Sequence, residues 1–78
     1  MRIRDLREDS DQKQQDIADV LHIRQSTYSQ YESGKRAIPI EALITLALYY
    51  NVSVDYILGL TDTPVPYPRK KPSPTNNP

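Results

Sequence analysis

The chain has 78 residues, no cysteine, ten Lys/Arg and ten Asp/Glu, for a net charge of zero. That length holds one domain, and the composition excludes a disulfide framework, a thiolate metal site and an 18-residue apolar membrane span. A single histidine and no glycine-rich phosphate loop leave no catalytic constellation, so the expectation is a non-enzyme without metal or cofactor.

The opening "MRIRDLREDS" lacks a signal-peptide core, so a cytoplasmic protein is expected. Ile3 and Leu6, three apart, begin a helix over about 2–9. A second helix over about 12–21 carries an apolar stripe of Ile17, Ala18, Val20 and Leu21, with Asp11 and Gln14 spaced as a capping box. A third over 24–33 stops at Gly34, a favourable left-handed cap. Pro39 starts a fourth, which runs to about Tyr50 and offers Ile40, Leu43, Ile44, Leu46, Ala47 and Tyr50 for burial. Asn51 ends it, Ser53 caps a short fifth helix "VDYIL", and Gly59 closes that one. The fold class is therefore all-α, with five short helices in residues 1–60. Six of the seven prolines fall in residues 61–78. That composition cannot bury enough surface to offset the entropy of ordering, so a disordered Pro-rich tail is expected there. The tail's "PYPRKKP" is read as an inert end, ahead of a polyproline-type docking segment or an electrostatic DNA anchor.

The third helix is unusual in its polar face. Gln25, Ser26, Ser29 and Gln30 share one arc, while Tyr28 and Tyr31 share the opposite one. A merely solvated face favours Glu and Lys, which suit helix and solubility better. Gln pairs with two edge atoms of adenine at once, and Ser donates or accepts. A short turn, Leu21-His22-Ile23-Arg24, joins this helix to the preceding one, and Ala18 is small where two helices would cross closely. That layout is a helix-turn-helix.

With Leu6-Arg7, "QQDIADVL", "STYSQYESGKR" and "LALYYNVSVDYILGL", the chain resembles the phage repressor and Cro type of helix-turn-helix regulator over about residues 2–60. The resemblance implies a compact five-helix repressor-like domain that binds double-stranded DNA and acts as a repressor. It implies base contacts from Gln25, Ser26 and Gln30, with Ser29 on the same arc, and a phosphate contact from Gln14 at the start of the second helix. It places Lys35 and Arg36 in a loop that grips the DNA backbone, and it implies a structural ion pair between Arg7 and Glu32. Three positions depart from the family pattern. His22 stands where glycine is usual, and is read as a turn residue holding a left-handed conformation. Gln12 replaces an apolar residue, which predicts a looser joint between the first two helices. Arg24 replaces a Ser or Thr cap; a cation there opposes the helix dipole, which points to a DNA contact.

Charge placement matters more than the sum. Residues 1–60 carry seven Lys/Arg against nine Asp/Glu. Yet Lys13, Arg24, Lys35 and Arg36 all border the reading face. Four to six phosphate contacts would give a salt slope of roughly −4 to −5. Leu48, Tyr49, Tyr56, Leu58 and Leu60 form surplus apolar surface on the last helices, which predicts a homodimer on a two-fold-symmetric operator. The rival reading is a protein-interaction module of the same fold, an antitoxin or adaptor that holds a protein partner on that apolar surface.

Overall fold

The computed structural model describes residues 1–68. Five helices follow in order: α1 (Ile3–Asp9), α2 (Gln14–Leu21), α3 (Gln25–Ser33), α4 (Ile40–Tyr50) and α5 (Val54–Leu58). No strand occurs among the described residues, and no described helix is long and apolar enough to cross a membrane.

One closure is used four times. After α1, α2, α4 and α5 a residue takes positive φ: Asp11 (55°), His22 (57°), Asn51 (56°) and Gly59 (83°). The next N–H then turns back on the carbonyl five residues earlier, from Gln12 to Arg7 (3.0 Å), Ile23 to Ala18 (3.0 Å), Val52 to Ala47 (3.0 Å) and Leu60 to Asp55 (2.9 Å). These bonds satisfy carbonyls that a helix end would otherwise leave orphaned. They also bend the chain sharply, and Ile23 and Val52 turn inward against the core. Gly34 (φ 80°) ends α3 as expected, and its N–H donates to Tyr31 O at 3.3 Å.

Asp11 corrects the sequence reading. It does not cap α2; it supplies the left-handed residue that closes α1. The N-cap of α2 is Lys13, whose backbone N–H donates to the Asp16 carboxylate at 2.8 Å. Pro39 is likewise the N-cap of α4 rather than its first helical residue. Ser53 caps α5 as expected, its hydroxyl accepting from Tyr56 N–H at 3.0 Å.

Tyr28, Ile3, Ile17, Leu46 and Ile57 are the largest fully buried side chains, so every helix contributes to one core. Ala18 is also fully buried, as a close crossing of α2 and α3 requires. Arg2 N–H donates to Ile57 O at 2.7 Å, joining the start of α1 to α5. The expected buried face of α4 is too broad. Leu43, Leu46 and Ala47 are buried, but Ile40 and Ile44 are 65% and 49% exposed. Five short helices provide no element to cover the outer half of α4.

The stretch expected to be a disordered tail is described only to Pro68. Residues 61–68 have no helix or strand, yet they lie against the domain. Arg2 donates to Thr61 O and to Asp62 Oδ1, Ser53 N–H to Pro64 O, and Tyr67 OH to Asp55 Oδ2. The basic "RKK" of the tail lies outside the described residues.

Candidate nucleic-acid interface

The site is built on α2 and α3. Tyr28 and Tyr31 are buried, which fixes the rotation of α3 and turns Gln25 and Ser26 out to solvent, with Ser29 and Gln30 half-buried beside them. His22 makes the turn possible by adopting φ 57°, ψ 43°. Arg24 is the N-cap of α3 and its side chain makes no capping bond there. Arg has no acceptor to offer, so the first turn of α3 has no side-chain cap and an exposed cation stands at the same end.

A polar relay crosses behind this face. The Glu32 carboxylate accepts from Arg7 Nε at 2.6 Å and Nη2 at 3.1 Å, the bidentate pair expected from the resemblance. It also accepts from Gln14 Nε2 at 3.1 Å. Gln14 Oε1 in turn accepts from Gln25 Nε2 at 2.5 Å. The direction of this chain is forced. An ionised carboxylate only accepts, so Gln14 must present its amide NH2 to Glu32 and its oxygen to Gln25. Gln25 then keeps its own oxygen and one further N–H for a ligand. Gln14 is thus an orienting link, with its second N–H left over.

Electrostatics support the relay. Burial by itself would push the Glu32 pKa up; the Arg7 guanidinium, with the Gln14 amide beside it, outweighs burial and brings it to about 2. Glu32 in turn holds Arg7 above its ordinary value, against the opposing effect of burial. Tyr28 is different. Its hydroxyl is buried and meets no hydrogen-bond partner among the described residues. Burial, followed by the Glu32 carboxylate, pushes the phenol far above its usual range.

Lys13, Arg24, Lys35 and Arg36 are all exposed, and none forms an ion pair among the described residues. Lys35 and Arg36 follow directly on the Gly34 turn, and Arg36 N–H donates to Gln30 O at 3.2 Å, which holds that turn against α3.

Two features escaped the sequence reading. Arg4 also reaches Glu32, at 3.4 Å, from one turn before Arg7; the three-residue spacing was the available signal. Gln12 does not loosen the joint between α1 and α2. Its backbone carbonyl accepts from Arg7 Nη1 at 2.9 Å, its side-chain oxygen accepts from Tyr50 OH at 3.1 Å, and its amide donates to Tyr49 OH. No local pattern links residues so far apart in sequence.

Of the expected dimer residues, Leu48, Tyr49, Leu58 and Leu60 are 42–74% exposed. Tyr56 is half-buried, and the Arg2 guanidinium lies 4.3 Å from its ring centroid, so one ring face is already occupied.

A model of the helix-turn-helix family matches residues 3–57. The chain belongs to the helix-turn-helix family. The domain is 41% identical over 70 residues to the uncharacterised HTH-type transcriptional regulator YobD of Bacillus subtilis, covering 90% of this chain and 62% of that protein. It is 41% identical over 58 residues to the HTH-type transcriptional regulator AnsR of the same organism, covering 74% of this chain and 50% of AnsR. It is 31% identical over 62 residues to the cryptic phage CTXphi transcriptional repressor RstR of Vibrio cholerae, covering 80% of this chain and 56% of RstR. The resemblance to repressor-type regulators is therefore borne out for the helix-turn-helix domain. The chain spans between half and about three fifths of the length of these relatives. No solved structure matches it.

Proposed function

We propose that the protein is a sequence-specific double-stranded DNA-binding transcriptional regulator, acting as a repressor, that reads the major groove with α3. The observation that carries this reading is the relay from Arg7 through Glu32 and Gln14 to Gln25. It holds the exposed Gln25 amide at the start of α3, next in the chain to the exposed Arg24. A solvated helix has no use for such pre-orientation, whereas base recognition depends on it. Gln25, Ser26, Ser29 and Gln30 contact base edges. Lys13, Gln14, Arg24, Lys35 and Arg36 contact phosphates, and these set register and affinity rather than sequence choice. Two copies join through Leu48, Tyr49, Leu58 and Leu60, with the outer edge of Tyr56 at the border. The two α3 helices then lie about one DNA turn apart, ~34 Å. The names of the relatives, transcriptional regulators and a phage repressor, support the same direction.

Selection of sites from random duplex DNA tests the proposal. A short two-fold-symmetric site should be enriched. Gln25→Ala should relax one position of each half-site and cost about 1–3 kcal/mol of discrimination. Absence of any enriched site at low salt would overturn the reading and leave a protein-interaction role.

A further inference from the structure

The segment 61–68 lies on the same face that the proposed dimer uses. Its near end is held by Arg2, whose Nη1 donates to Tyr56 O and Thr61 O, each at 2.7 Å, and whose Nη2 meets Asp62 Oδ1 at 2.6 Å. Its middle is held by the buried Ser53, whose backbone N–H donates to Pro64 O at 3.3 Å. Its far end is held by Tyr67 OH, which donates to Asp55 Oδ2 at 2.7 Å. At this far end Pro66, Tyr67 and Pro68 border a groove of about 220 Å³ that Ile44, Leu48, Val52 and Val54 also line.

We infer that residues 61–68 form a strap that competes with a second copy of this chain for the α4–α5 face. The inference rests on the dimer reading above and adds a control to it. Leu48 belongs both to the groove under the strap and to the expected dimer surface, so a partner packed on Leu48 and Ile44 meets Pro66 to Pro68. The strap is suited to hold and to release. Three of the five residues 64–68 are prolines, which lose little backbone freedom on docking and carry no N–H that would need a partner. Yet the strap leaves the face only partly covered: Ile44 and Leu48 stay 49% and 55% exposed, and Val65 and Tyr67 are 68% and 65% exposed themselves. An incomplete cover held by a few polar contacts is displaced once a larger apolar surface arrives. On release, the Ser53 N–H loses its strap partner, so the dimer must supply water or a carbonyl in its place.

The test is sedimentation equilibrium on the full chain, comparing wild type with Tyr67→Phe and Tyr67→Ala. Tyr67 lies at an exposed edge, and circular dichroism checks that each variant keeps its helix content. Tyr67→Ala should tighten self-association about three- to tenfold, as expected for losing one exposed charge-assisted bond with its packing. Tyr67→Phe, which removes only the hydroxyl, should fall between. Wild type and Tyr67→Ala dimerising equally, or Tyr67→Ala dimerising more weakly, would overturn the strap and leave the dimer standing. A monomer in both chains at high concentration and on DNA would overturn the dimer and the strap together.

Discussion

Replacing Glu32 with glutamine is the sharpest probe of the relay. The substitution keeps the shape of the side chain and removes its charge. Glu32 has no side-chain accessibility and Arg7 retains 13%, so Arg7 would be left as a nearly buried cation facing only the exposed Glu8 carboxylate, 3.9 Å away, among the described residues. Removing one partner of such a pair costs about 3–5 kcal/mol. A second route reaches the same range. Glu32 titrates at about 2 in the folded protein against a reference of 4.5, which corresponds to roughly 3 kcal/mol of stability. Since the folded value lies below the unfolded one, this contribution is complete above pH 4.5 and is lost as pH falls towards 2. A folding unit of this size has about 3–10 kcal/mol in total. Glu32→Gln should therefore leave a domain that is barely folded at 25 °C. Urea unfolding followed by circular dichroism measures the loss at pH 7. Repeating it between pH 5 and pH 2 should show a wild-type decline that is shallower in the variant by the Glu32 share. The double replacement Arg7→Met with Glu32→Leu should recover much of the loss, because neither charge is then stranded. A loss below about 1 kcal/mol for Glu32→Gln, or identical pH slopes in the two proteins, would refute the pairing energetics drawn from these distances.

Tyr28→Phe removes a buried hydroxyl that has no hydrogen-bond partner among the described residues, so urea unfolding should register a change of less than about 1 kcal/mol; a larger loss would mean that the phenol donates to Glu32 after all. His22→Gly relieves a non-glycine residue of a left-handed conformation and should stabilise the domain by about 0.5–1 kcal/mol, read as a rise in thermal midpoint; a lowered midpoint would show that the imidazole makes a contact worth more than the strain.

Much of the site was legible in the chain because its signals are local. Gln25, Ser26 and Gln30 share an arc by helical spacing alone, and Tyr28 and Tyr31 fall opposite, where the structure buries them. Gly34, Asn51, Ser53 and Gly59 mark helix ends through their own backbone or side-chain chemistry, and each does so here. Asp11 was misread because the same residue type favours two neighbouring roles, a cap for the next helix and a left-handed stop for the last one. Only the path of the chain between α1 and α2 selects the second.

The resemblance anticipated the Arg7–Glu32 pair, but not that Gln14 and Gln25 extend it. The extension depends on the distance between α2 and α3, which the buried Ala18 sets. Gln12 reaching Tyr49 and Tyr50, Ile40 and Ile44 left outside, and residues 61–68 laid across α4 and α5 are equally invisible in the chain. Each is a contact between elements far apart in sequence, and no spacing rule specifies which helix face meets which. The sequence by itself determined the five helices, most of their ends and the polar arc of α3, because these follow from periodicity and from the conformational preference of single residues. The tertiary structure decided which carboxylate orients which amide and which apolar face stays uncovered, because those depend on how little surface five short helices can bury around one core.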